Sequence, residues 1–185
     1  MPLYLPSDAS GEEAIGPLDF VDSSATTLRD GLFSFAPEPV TYRYYRFNIV
    51  QGDCTTAALF DLRWRGRDSG ADSPANILNG GGVQINTGVV TPIVSAAGGS
   101  SDILIASLAG GSASPGSRFF ALEMKFEVLN GEVQIRYSGQ GRDVAGLGIF
   151  FAGHYISPVV FDGYKLTVSA GLWRDGVLSL TGLRK

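Results

Sequence analysis

The sequence predicts an all-β protein, an antiparallel β-sandwich of jelly-roll type preceded by an extended N-terminal arm. Three observations carry that prediction. From Tyr42 onward apolar and polar residues alternate with a period of two, turn residues recur every eight to fifteen positions, and no longer stretch shows a capped 3.6-residue period. Glycine, at 25 of 185 residues, supplies the many turns that short strands need. A chain of this length with 44% hydrophobic residues is long enough for one domain with a substantial core. We divide it into an arm, residues 1–40, and a sandwich, residues 41–185.

The arm carries Pro2, Pro6, Pro17, Pro37 and Pro39 and sustains neither helical nor strand periodicity. It is strongly acidic: seven carboxylates accompany Arg29 alone, whereas residues 41–185 hold eleven acids and thirteen bases. An acidic leader on a mildly basic body is expected to lie against basic surface, its own or a neighbour's. Phe20, Phe33 and Phe35 are too apolar to leave in water and are expected to dock, either on the parent domain or on another subunit.

The first strands are read from Tyr42-Arg43-Tyr44-Tyr45-Arg46-Phe47-Asn48-Ile49-Val50 and, after a Gln51-Gly52-Asp53 turn, from residues 57–65. We expect them to pair, with one apolar and one guanidinium-bearing face. If Phe47, Ile49, Phe60 and Leu62 point inward, Trp64 joins the core, and Tyr44, Arg46, Arg63 and Arg65 face solvent as candidate interface or ligand residues. Further strands are expected at 83–87, 89–95, 103–107, 147–152 and 154–160, with a short helix over 102–108 as the alternative for the third. The clearest hairpin joins residues 120–129 to 132–137 through Asn130-Gly131, the residue pair of a type I′ turn. Placing Leu129 opposite Glu132 sets Val128 against Val133, Phe126 against Ile135 and Met124 against Tyr137 on one apolar face, so turn and alternation demand the same register. A last hairpin is expected over 164–181 about Asp175-Gly176, with Trp173 facing Leu178. Residues 67–82, 96–101 and 110–117 read as surface loops.

Recognisable chemistry is sparse. The lone cysteine, Cys54, excludes an internal disulfide, and the lone histidine, His154, leaves no histidine pair for a metal. There is no G-x-S-x-G, no phosphate-binding glycine loop and no EF-hand, and the basic residues alternate with acids instead of forming the patch that nucleic acid requires. Glu123 and Glu127, four apart on one strand face, are roughly 13 Å apart, too far for a glycosidase pair. We therefore expect no catalytic residue, cofactor or metal, no nucleic-acid binding and no membrane insertion. The opening residues lack a secretory signal, so synthesis in a host cytoplasm is expected.

The pattern from Tyr42-Arg43-Tyr44-Tyr45-Arg46-Phe47 to Ala58-Leu59-Phe60-Asp61-Leu62-Arg63 resembles the opening strands of galactose-binding-like, discoidin-type jelly-roll modules of bacteriophage tail and virion proteins. The resemblance implies a jelly roll in a viral context and carries over no binding residue. The expected function is a non-enzymatic virion structural protein of the tail or head surface, assembling with copies of itself and other virion proteins. The alternatives are a carbohydrate-recognising adhesin, using the loops at 67–82 and 110–117 to contact host glycan, and a polysaccharide hydrolase using Glu123, Asp143 or His154.

Overall fold

The computed structural model describes residues 11–15, 25–27, 42–56, 58–72, 79–93, 102–110, 120–158 and 161–184. Their strands are β1 (Glu12–Ala14), β2 (Ala25–Thr27), β3 (Tyr42–Cys54), β4 (Leu59–Asp68), β5 (Ala71–Asp72), β6 (Asn79–Asn86), β7 (Val89–Ile93), β8 (Ile103–Ala109), β9 (Phe120–Leu129), β10 (Glu132–Arg142), β11 (Gly148–Ser157), β12 (Gly163–Val168) and β13 (Trp173–Arg184). They form an antiparallel β-sandwich. Sheet A runs β1-β13-β3-β9-β10-β11-β6-β7; sheet B runs β2-β12-β4-β5, with β8 also paired to β4.

The roll follows from four chain stretches, β1–β2, β3–β4, β8–β9 and β12–β13, that each place one strand in either sheet. β1, β13, β3 and β9 are neighbours in sheet A, and their chain neighbours β2, β12, β4 and β8 follow the same order in sheet B. The β3–β4 and β12–β13 crossings lie at one end of the sandwich, where Cys54 pairs with Trp173; Gly52 pairs with Phe120 and Leu59 with Ala109 at the same end. That is the jelly-roll arrangement. Sheet A then extends beyond the roll through β10, β11, β6 and β7. The Gln84 amide reaches from β6 to both the N–H (3.0 Å) and the C=O (3.3 Å) of Ser107, so a side chain satisfies backbone groups of β8.

The expected strand pair over 42–65 is corrected here. β3 and β4 lie in different sheets, because residues 51–53 do not turn the chain. Gln51 adopts a positive φ of 57°, the register with β9 shifts between Ile49 and Gly52, and β3 continues to Cys54. Gly52 is required there, since a Cβ would sit 2.5 Å from the Phe120 ring. The chain changes sheet only after Asp53, whose buried carboxylate accepts from its neighbour's Cys54 N–H (2.7 Å) and from the Arg174 guanidinium. Thr55 N–H to Leu172 C=O (2.9 Å) and the Cys54 thiol to Ala170 C=O (3.1 Å) tie this corner to the β12–β13 corner.

The hairpin at Asn130-Gly131 has the expected register at every pair, with φ of 55° and 82° in the turn. Thr87-Gly88, at 49° and 81°, makes the β6–β7 turn in the same way. Asp175-Gly176 does not turn: it is absorbed as an irregularity in β13, which stays paired with β3 on both sides, so Trp173 lies opposite Cys54 instead of Leu178. β12 and β13 do not pair, because the chain passes from sheet B to sheet A between them. Residues 147–152 and 154–157 form one strand, because Gly153 continues β11 opposite Tyr137, and 103–109 is a strand and not a helix.

The core lies between the sheets. Trp64 of sheet B stacks on Phe126 of sheet A at 5.7 Å and meets Phe161 edge-on at 5.2 Å, while Phe47 meets Tyr164 edge-on at 4.8 Å. Trp64 is 2% exposed, the inward placement that alternation predicts, and Tyr155 and Trp173 are fully buried. Aromatic side chains at each level join the layers, which adds about 0.5–1.5 kcal/mol per pair to the burial of their area.

Candidate functional site

Alternation fixes which side chains leave the core, and the sheet registers then place them in rows. With Tyr45, Phe47, Phe126, Ile135 and Phe151 inward, the outer face of sheet A carries three rows of interest. The first lies at the corner end. Val177 is opposite Val50; across the sheet, Ala121 is opposite Gln140, Gln140 opposite Phe150, Phe150 opposite Ile85, and Ile85 opposite Val90. One glutamine interrupts an otherwise apolar band, and Ala152, Val83 and Pro92 broaden it in the next row. Phe150 is 59% exposed and Val90 58%. A groove of about 450 Å³ runs alongside Phe150, bounded by Val50 and floored by Ala121 and Ser138.

The row after that is cationic: Thr181 is opposite Arg46, Arg46 opposite Lys125, Lys125 opposite Arg136, and Arg136 opposite His154. Like charges directly opposite one another destabilise a sheet, and carboxylates from flanking positions offset this. Glu123 pairs with Lys125 (3.1 Å) and Arg46 (3.5 Å), and Glu127 stands 4.0 Å from Arg136. Glu12 enters from β1 with its carboxylate buried; it pairs with Arg46 at 2.9 Å, accepts from the Thr181 hydroxyl at 3.0 Å and from the Tyr44 hydroxyl. Beyond lies the row of Leu183, Tyr44, Glu127 and Gln134, where Tyr44, Lys125, Glu127, Gln134, Arg136 and Leu183 enclose a trough of about 400 Å³. His154 Nε2 meets Gln134 Oε1 at 2.7 Å.

The candidate residues therefore separate. Tyr44 and Arg46 sit together on the outer face of sheet A. Arg63 and Arg65 lie on the outer face of sheet B, the opposite surface of the molecule, so the four form no single site. Phe20, Phe33 and Phe35, residues 73–78 and residues 111–117 lie outside the described residues; the rest of the loop expected at 67–82 is instead the end of β4, a turn, β5 and the start of β6.

On sheet B the arginines are held by carboxylates. Arg63 pairs with Asp61 at 2.7 Å; Arg65 pairs with Asp102 at 2.5 Å and Asp72 at 3.1 Å; Asp72 also receives Arg67 (2.5 Å) and Lys165 (3.5 Å). Burial pushes the Asp72 carboxyl up, but Lys165, Arg65 and Arg67 outweigh it and hold its pKa below the usual carboxylate range. The Asp102 hydrogen bond holds the Arg65 guanidinium in its charged form. Three cations on Asp72 leave it no role as a metal ligand, and no cluster of three or more His, Cys, Asp or Glu forms among the described residues.

The groups of the hydrolase alternative are engaged separately. Glu123 is paired with Arg46 and Lys125, and His154 is on Gln134. Asp143 lies past the end of β10, where Leu147 N–H (2.9 Å) and Asn86 (3.1 Å) donate to its carboxylate; the Leu147 bond chiefly lowers its pKa. Burial raises the Cys54 thiol pKa, which disfavours the nucleophilic thiolate.

Sequence reasoning missed Glu12 and Asp53, the two buried carboxylates among the described residues. Glu12 lies in a three-residue strand, too short for alternation to register, and Asp53 follows a glycine in what reads as a turn. No protein-family model matches this chain, and no curated protein is significantly similar to it.

Proposed function

We propose that the chain is a non-enzymatic structural protein of a bacteriophage virion, a tail or head-surface component that packs against a second copy of itself through the apolar end of sheet A. The observation that carries this reading is the row from Val177 to Val90, which draws its side chains from β13, β3, β9, β11, β6 and β7. Its exposed apolar surface is on the order of 500 Å², the size at which a patch is commonly functional.

A second copy fits because the surface holds both a projection and its receptor. Phe150 stands at one side of the groove whose floor is Ala121 and Ser138, so a two-fold axis through the row inserts each copy's Phe150 into the other's groove, an isologous contact. Pro92 in β7 supplies no N–H for another strand, which favours docking by the face over pairing at the edge. The likeness of residues 42–63 to virion jelly-roll modules supports the viral setting.

Light scattering on the purified chain tests the contact. The expected result is a dimer or a multimer built from dimers, with Phe150→Asp giving a monomer whose circular-dichroism spectrum is unchanged. A wild-type chain that stays monomeric at micromolar concentration, or a Phe150→Asp chain that remains associated, overturns the assignment.

A further inference from the structure

The trough at the other end of sheet A is not used by that contact. Along β9, Ala121 of the apolar row and Glu127 of the trough are six residues apart, about 20 Å at the rise of a strand. We infer that this trough is a binding site for an acidic saccharide, a sugar bearing a carboxylate such as a uronic acid.

Its walls differ in chemistry. On one side stand Tyr44 and Leu183, cross-strand partners whose ring and branched side chain present an apolar surface to the C–H face of a sugar. Opposite are Lys125, Arg136 and Gln134, mainly donors. The Gln134 carbonyl oxygen meets the His154 ring, so its amide N–H groups are directed to other acceptors. Arg136 has the loosest engagement in the cationic row, with its guanidinium 4.0 Å from Glu127 and its side chain 56% exposed, which suits forked recognition of an incoming carboxylate. Glu127 remains as an acceptor for sugar hydroxyls. A volume of about 400 Å³ falls at the small end of the range for small-molecule sites, enough for one or two sugar rings.

Three cations of this row stand against three carboxylates, Glu12, Glu123 and Glu127, so the preference for an anionic ligand rests on the cation least engaged by them. Arg46, Lys125 and Arg136 stand directly opposite one another although such adjacency costs stability. Arg46 is satisfied by Glu12, and Glu123 is shared between Arg46 and Lys125. Glu127 stands 4.0 Å from Arg136, the longest of these contacts, so Arg136 is the cation that an incoming carboxylate engages most readily.

Nuclear magnetic resonance titration of the intact ¹⁵N-labelled chain tests the assignment, using methyl glucuronide and a glucuronate oligomer as probes, methyl glucoside as the neutral control and a blocked Asp-Glu peptide as the acidic non-sugar. The expected result is millimolar binding of the glucuronides, with shifts at Tyr44, Lys125, Gln134 and Arg136. Affinity should fall about tenfold for methyl glucoside and for Arg136→Gln, the loss of one charge-assisted contact. Val144→Ser, an exposed position in the turn after β10 that belongs neither to the trough nor to the apolar row, should bind as wild type does. Failure of the glucuronides to shift these residues, equal binding of the glucoside, or no effect of Arg136→Gln overturns the proposal. Tighter binding of the Asp-Glu peptide than of the glucuronides assigns the trough to acidic peptide and overturns the saccharide.

Discussion

Asp53→Ala tests whether the sheet-crossing corner is held by its buried carboxylate. The side chain is fully buried and accepts from Cys54 N–H at 2.7 Å, from Arg174 Nε at 3.0 Å and from the second Arg174 nitrogen. Hydrogen bonds to a charged group contribute about 1.5–3 kcal/mol, and stranding the partner of a buried ion pair costs about 3–5 kcal/mol. The Arg174 side chain is 21% exposed and can recover part of its hydration, so the lower end applies, about 3 kcal/mol. For a chain of this size that lowers Tm by roughly 6–12 °C. Urea unfolding followed by tryptophan fluorescence reports the change directly, since Trp173 pairs with Cys54 at the same corner. The double variant Asp53→Ala/Arg174→Ala should lose less than the sum of the two single variants, because the second change removes the stranded cation. A loss below about 1 kcal/mol for Asp53→Ala, or strictly additive losses, refutes the reasoning.

Two further predictions rest on other parts of the fold. Gly153→Ala places a Cβ 2.4 Å from the Tyr137 hydroxyl and 2.5 Å from its ring, and Tyr137 is buried; a loss of about 1–3 kcal/mol is expected by thermal unfolding, partly restored by Tyr137→Leu in the same chain. Asp72→Asn should destabilise the protein at pH 7. Because its pKa is depressed in the folded state, the carboxylate's contribution is present above the unfolded value of about 3.9 and is lost as pH falls through the folded one, so the urea midpoints of variant and wild type should converge toward pH 3. A constant gap between pH 7 and pH 3 refutes that role for Asp72.

Period-two alternation determined much of this protein before any coordinates. Burial turns alternate side chains of β4, β9, β10 and the first half of β3 inward, so the fold class, the inward Trp64, the outward Tyr44, Arg46, Arg63 and Arg65, and the whole register of the Asn130-Gly131 hairpin were legible: turn and alternation there lie in contiguous residues. Which strands become neighbours is not a local property. Only the tertiary structure sent β3 and β4 into different sheets, because a close glycine contact and a buried carboxylate carry the chain past Gly52, and only it drew Asp175-Gly176 into a strand held along its length by β3. The same pairing set Arg46 and Arg63 on opposite surfaces. It also aligned Val50, Phe150, Ile85 and Val90 into one row and Tyr44, Glu127 and Gln134 into another, since cross-strand neighbours distant in sequence are chosen by the packing of the whole sandwich.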